Sequence, residues 1–93
     1  MARKTVPFNQ AGASKLPNDK PVVYKIQTDG GKTNYVGKAM RGRVQERIQE
    51  HLADGKIPGA KVQIQQMPSI QEAEKTEARI IARSEPKYNE RGK

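Results

Sequence analysis

Hydrophobic and polar residues alternate from position 22 onward, with Val22, Tyr24 and Ile26 on one side of an extended segment. This period of two predicts a β-strand. The turn DGGK follows, with two glycines that tolerate positive φ, and TNYVG then predicts a returning strand. The resulting antiparallel hairpin places Tyr24 and Tyr35 on neighbouring strands.

Helical spacing comes next, because apolar residues recur every four positions from Val44 to Leu52. The pattern predicts a helix that begins at about Arg41 or Arg43 and runs to Asp54. The glycine that follows is a typical helix stop.

A third strand and a final helix complete the pattern. The segment AKVQIQQM alternates again and predicts the strand. The helix begins near Ser69, which has the capping-box spacing to Glu72, and must end before Pro86. A carboxylate, Glu77, lies on the predicted apolar face of this helix together with Ile70, Ala73, Ile80 and Ile81.

Residues 1–20 contain Pro7, Gly12 and Pro17 among mostly polar neighbours and show no sustained periodicity. They predict a flexible basic N-terminal arm, which leaves residues 21–93 as the folded domain. Strand–strand–helix–strand–helix is therefore the expected order of elements.

Composition limits the chemistry that one small domain of 93 residues can perform. A hydrophobic fraction of 33% leaves little apolar material for a large ligand pocket. The absence of cysteine excludes disulfides, iron–sulfur clusters and thiol-ligated zinc, and a single histidine excludes a multi-histidine metal site within one chain. Any metal would need oxygen ligands, which favours magnesium, manganese or calcium.

No stretch approaches the roughly 18 apolar residues of a membrane span. No hydrophobic run follows the basic residues of MARKTVPFNQ, so a secretory signal is not expected. A soluble, cytoplasmic protein is the expectation.

The net charge of +8 is unevenly distributed. Residues 1–47 contain ten Lys/Arg against three acidic residues, whereas residues 48–93 contain eight against seven. This asymmetry suggests a face for a polyanion such as nucleic acid.

A second stripe of Arg43, Arg47 and His51 follows the predicted second helix beside its apolar stripe. Such a stripe is often a solvated face paired with neighbouring glutamates, but guanidinium groups also clamp phosphate oxygens bidentately. Glu77 also has two interpretations: it is either a solvated carboxylate at the border of the apolar stripe or an oxygen ligand for a hard divalent cation.

Taken together, these residues resemble the GIY-YIG nuclease family. The matching motifs are VVY (22–24), YVG (35–37) with the lysine after it, RIQEH, and EARIIARSEPKYN, whose order and ending are similar to those of the excision-repair members. The resemblance covers residues 22–89. It implies an α+β fold, a small three-stranded antiparallel sheet flanked by helices, and metal-dependent phosphodiester hydrolysis.

The resemblance also implies a role for each matching residue. Glu77 would be the sole protein carboxylate on one Mg²⁺ or Mn²⁺ ion. Tyr24 and Tyr35 would position or deprotonate the attacking water, and Lys38 would favour the phenolate. Arg47 would hold the scissile phosphate and stabilise its charge in the transition state.

Two further roles and a wider contact surface follow from the same resemblance. His51 would support the tyrosines or assist proton transfer, and Asn89 would fix the end of the last helix against the sheet. The residues expected to contact nucleic acid are Lys25, Lys32, Lys38, Arg41, Arg43 and Arg47.

The chain departs from the family pattern in two places. Val22 replaces the glycine of the first motif, a position that serves backbone packing. The stretch before Arg47 is a residue or two longer than usual, which leaves Arg43 or Arg41 as alternative catalytic arginines. Arg47 is favoured because His51 follows it by one helical turn.

The leading hypothesis is therefore a metal-dependent endonuclease acting on DNA, with single-stranded or structured DNA as one option. The alternatives are a non-catalytic basic nucleic-acid-binding module and a metal-independent RNA-binding protein, although only four aromatic residues are present for base stacking. A monomer or weak homodimer is expected.

Overall fold

The computed structural model describes residues 3–84, 86 and 88. Four strands and three helices are formed within these residues. In chain order they are β1 (Arg3–Pro7), α1 (Gln10–Ser14), β2 (Val22–Gln27), β3 (Thr33–Ala39), α2 (Val44–Asp54), β4 (Lys61–Gln66) and α3 (Ile70–Ser84).

The strands form one antiparallel sheet in the order β1-β4-β2-β3. The predicted hairpin is confirmed: β2 pairs with β3, with Tyr24 opposite Gly37 and Ile26 opposite Tyr35. Both tyrosines therefore lie on the same side of the sheet, as alternation requires.

The expectation of a three-stranded sheet is wrong by one strand. The additional strand is β1, which lies within the segment expected to be an arm and pairs with β4, Val6 opposite Val62. Only Val6 is buried in this strand, so its sequence carries no alternating pattern and its pairing depends on backbone hydrogen bonds.

The rest of that N-terminal segment also packs into the fold. Ala13 and Leu16 are buried in the same core as Val6. Asn18 Oδ1 accepts a hydrogen bond from the Gln45 backbone N–H at 3.1 Å, which satisfies a free donor in the first turn of α2. Residues 3–18 therefore contribute to the core of the domain and cap the start of α2.

Two hydrophobic clusters cover opposite faces of the sheet. The face covered by α1 and α2, here the α2 face, contains the larger cluster, including Tyr24, Ile26 and Ile64. The opposite face, here the α3 face, contains a smaller cluster around Val23 and Val36, packed under α3.

The helix termini follow the sequence signals closely. Gly55 adopts a left-handed conformation, with φ of 69°, and donates to the His51 carbonyl, which confirms it as the stop of α2. The Glu72 backbone N–H donates to Ser69 Oγ at 3.2 Å, as expected at the start of α3. No helix in the described part of the chain is both long and apolar enough to cross a membrane.

Candidate active site

Three rings meet on the α2 face of the sheet. Tyr24 Oη lies 2.7 Å from His51 Nε2, so β2 and α2 are joined by a hydrogen bond. The ring centroid of Tyr35 lies 6.1 Å from that of Tyr24 and 5.0 Å from that of His51. The two tyrosines and the histidine thus form one polar cluster at the edge of a buried core.

Gly37 creates the space for this cluster. A Cβ atom at this position would lie 2.5 Å from Tyr24 Oη, 2.6 Å from Tyr24 Cζ and 3.0 Å from Tyr35 Cε2. The last residue of the YVG motif therefore has a steric role: it leaves room for both tyrosine rings.

We expect Gly37→Ala to destabilise the fold by about 1–3 kcal/mol, because the fully buried Tyr24 ring must move. Thermal unfolding measures the change. Gly30→Ala is the matched control, since a Cβ there meets only one atom, at 4.0 Å. Equal melting temperatures for Gly37→Ala and wild type would contradict this role.

Arg47 lies beside Tyr24, one turn before His51 on α2. Burial, and then the nearby Tyr35, raise the pKa of the Tyr24 phenol far above its usual value of 10, and Arg47 only partly opposes this rise. Tyr24 is consequently a neutral phenol at neutral pH. The Arg47 guanidinium also donates to Glu50 Oε1 at 3.0 Å.

His51 is held neutral by its surroundings. Burial and the Arg47 charge lower the pKa of its imidazole below the usual 6.5, against opposing effects of Asp54 and Glu50. A neutral ring can accept a proton at one nitrogen while it donates from the other.

A prediction follows from this lowered pKa, and the imidazole is the only one in the chain. The NMR titration midpoint of His51 should lie below 6.5. The unfolded chain takes up this proton at a higher pH than the folded protein does. The contribution of neutral His51 to stability should therefore be fully present above about pH 6.5 and be lost as the pH falls through the folded pKa. His51→Gln should flatten this part of the curve of melting temperature against pH. A midpoint at or above 6.5 would contradict the assignment.

Glu77 and Lys38 form an ion pair on the α3 face. The Lys38 Nζ to Glu77 Oε1 distance is 3.4 Å, and the two side chains are 37% and 20% exposed. Glu77 thus borders the small cluster under α3, in agreement with its predicted place on an apolar face. The cation beside Tyr24 is Arg47, and the predicted effect of Lys38 on the tyrosines stays a prediction.

One groove brings together residues from both faces of the sheet. It has a volume of about 340 Å³ and opens where β3 ends, between α2 and α3. Lys38 enters from the α3 face, and Arg47 enters from α2. Its lining residues are Lys38, Ala39, Met40, Arg43, Arg47, Ile70 and Glu74.

This architecture is similar to solved structures of one nuclease domain. The GIY-YIG N-terminal endonuclease domain of UvrC from Thermotoga maritima, bound to magnesium as its catalytic divalent cation, matches with a TM-score of 0.64. Sequence identity is 25%, over 81% of this chain and 89% of that one. A point mutant of the same domain, also bound to its catalytic divalent cation, matches with a TM-score of 0.64 and 26% identity, over 82% and 89%. The protein has the GIY-YIG fold.

The structural match confirms the resemblance inferred from the motifs. Sequence comparison adds nothing to it, since the chain matches no protein-family model and no curated protein sequence. In this GIY-YIG fold the sheet has four strands, with β1 at one edge and β3 at the other.

The other predicted site residues lie at different distances from the groove. Arg43 lines its rim and is exposed, with its guanidinium on Glu46 at 3.0 and 3.2 Å. Arg41 lines a neighbouring groove. Lys25 lies on β2 and Lys32 in the hairpin turn, outside the groove lining.

Asn89 lies outside the described residues, so its predicted contact at the end of α3 stays a prediction.

The structure adds two groove residues that the sequence pattern did not single out. Met40 is 58% exposed and lies between the two neighbouring grooves, and Glu74 lies one turn before Glu77. An apolar residue just after a strand usually belongs to a core, so nothing in the pattern indicates that Met40 is exposed.

Glu77 is the one carboxylate predicted as a metal ligand, and a single carboxylate fits one class of cation. The described residues contain no group of three or more His, Asp or Glu side chains that could hold a metal. Mg²⁺ commonly keeps several waters and binds through one or two carboxylates together with substrate phosphates. A partly buried carboxylate such as Glu77 can serve as the one protein ligand in that mode once Lys38 has moved away from it.

Proposed function

We propose that this protein is a metal-dependent endonuclease that hydrolyses phosphodiester bonds in DNA. The observation that supports this most strongly is the shared groove, which is lined by both Lys38 from β3 and Arg47 from α2. Glu77 contacts Lys38, and the Tyr24–His51 pair adjoins Arg47. The similarity to an endonuclease domain solved with its catalytic divalent cation supports the same chemistry.

Arg47 is the residue that would bind the scissile phosphate. Its fork of donors matches phosphate oxygens, and its present partner, Glu50, is about half exposed and easily exchanged for a substrate. The extra negative charge of the transition state would strengthen this contact, so Arg47 would act on rate as well as on binding.

Tyr24 and His51 would move the proton of the attacking water. Once substrate binding uncovers the buried Tyr24 hydroxyl, this neutral phenol would accept that proton at Oη while passing its own proton to His51 Nε2, 2.7 Å away. This relay requires the neutral imidazole that burial favours, with its proton on Nδ1. Tyr35 packs against both rings and would hold them in place.

Mg²⁺ or Mn²⁺ at Glu77 would polarise the phosphate and stabilise the leaving 3′ oxygen. Lys38 would then exchange its contact with Glu77 for one with the substrate.

Circular single-stranded DNA and supercoiled duplex DNA test the proposal together. Each is incubated with purified protein in Mg²⁺, Mn²⁺ or EDTA. Metal-dependent cutting supports the nuclease, and its relative rate on the two substrates gives the strand preference. Because a monomer has one such groove, nicked circles are expected from the duplex before linear DNA. Binding without cutting in every condition would favour the alternative, a non-catalytic basic nucleic-acid-binding module.

A further inference from the structure

Charge is divided unequally between the sheet and the long helices. Within the described residues, the four strands contain five basic residues and no acidic one, whereas α2 and α3 together contain six acidic and four basic residues. A surface that serves solubility alone usually mixes both signs, as these two helices do. The sheet therefore has the electrostatic character of a polyanion-binding surface.

Four of the five basic strand residues lie on the α3 face. Alternation along each strand puts Lys25 and Lys38 on the side of Val23 and Val36, and the registers extend this side to β4 and β1. These four residues are called the basic strip: Lys38 on β3, Lys25 on β2, Lys61 on β4 and Arg3 on β1.

The basic strip is accessible. Helix α3 packs on β2 and β3, and the half of this face formed by β4 and β1 carries polar side chains such as Gln63 and Gln65. Arg3 is exposed, and Lys25 and Lys61 are partly exposed. Among the residues the structure describes, the ion pairs do not involve Arg3, Lys25 or Lys61.

The basic strip begins at the groove and crosses the whole sheet. Lys38 is its first member and also lines the groove beside Glu77. The registers put Lys38, Lys25 and Lys61 on one diagonal, each one strand over and two residues along from the last, and Arg3 lies level with Lys38 at the far edge of the sheet. Its chemistry, cations with amide donors and no aromatic side chain in these positions, suits phosphates better than bases.

We propose that the basic strip binds the phosphate backbone of the DNA strand that extends away from the cleavage groove. This proposal rests on the proposed nuclease function and assigns part of its substrate to a second surface. Recognition there is independent of sequence, because backbone contacts carry no base information.

The test compares two variants of equal net charge. One removes three members of the strip, Arg3→Gln, Lys25→Gln and Lys61→Gln. The other removes three exposed lysines elsewhere, Lys15→Gln, Lys56→Gln and Lys75→Gln. Affinity for a labelled single-stranded oligonucleotide is measured by fluorescence anisotropy over a salt series in EDTA, so that cutting does not interfere.

We expect the strip variant to lose roughly tenfold or more in affinity. The slope of log K against log salt should become less steep by about two, since each lost phosphate contact on a single strand reduces the magnitude of this slope by about 0.7. The control should keep a slope close to that of wild type. Lys25→Arg with Lys61→Arg, which conserves the charge, should also bind like wild type.

Equal losses in the strip variant and the control would overturn the proposal, because only total charge would then matter. If wild type still cuts DNA in that case, the nuclease function stands and the strip alone is rejected. If wild type neither binds nor cuts DNA, both proposals fail.

Discussion

Glu77→Gln should lower the rate of metal-dependent cleavage by at least about 100-fold. Removing even the residues that hydrogen-bond to metal ligands lowers metal affinity or activity 10- to 100-fold. The amide keeps the shape of the side chain and removes the charge that a hard cation requires. The ion pair with Lys38 is partly exposed, so its loss should change stability by less than about 1 kcal/mol. The variant should therefore fold normally.

Single-turnover cleavage rates in Mg²⁺, together with melting temperatures, test this prediction. Glu72→Gln is the matched control: it is an exposed glutamate on the same helix, and the ion pairs of the described residues do not involve it. Cleavage by Glu77→Gln at the wild-type rate would show that the carboxylate has no part in the reaction.

Arg47→Lys should lower the cleavage rate by about 10² to 10³, the usual cost of removing one preorganised donor from a developing charge. Lysine keeps the positive charge but loses the planar fork that matches two phosphate oxygens. Arg47 is also the cation that faces Tyr24, so its geometry affects the proton relay as well as the phosphate.

Arg43→Lys distinguishes the two candidate arginines. Arg43 is exposed at the groove rim and paired with Glu46, so we expect less than a tenfold effect, mainly on substrate affinity. A larger rate loss in Arg43→Lys than in Arg47→Lys would assign the catalytic role to Arg43, the alternative that the longer segment before α2 left open.

The parts of the fold that could be predicted are those with strong local periodicity. The hairpin of β2 and β3 followed from alternation and a glycine-rich turn, and α2 and α3 followed from their apolar stripes and end signals. Strand β1 could not be predicted in this way, because a single buried residue, Val6, leaves no periodic signal. Its pairing with β4 is a long-range contact that only the folded chain reveals.

The site was predictable as a set of residues and much less as an arrangement. Motif order identified Tyr24, Arg47 and His51, and the structure places them together. Sequence could not show that Lys38 lies on the other face of the sheet, paired with Glu77, and still lines the same groove as Arg47. Nor could it show that burial keeps the Tyr24 phenol protonated, because burial depends on tertiary packing.

The metal dependence of cutting decides whether this protein is a metal-dependent nuclease. Single-turnover cleavage of one end-labelled DNA strand is followed from EDTA through increasing Mg²⁺. We expect no cleavage in EDTA, a rate that rises with Mg²⁺ to a plateau, and full recovery when Mg²⁺ is restored. Cleavage at the same rate in EDTA as in Mg²⁺ would contradict a metal-dependent nuclease.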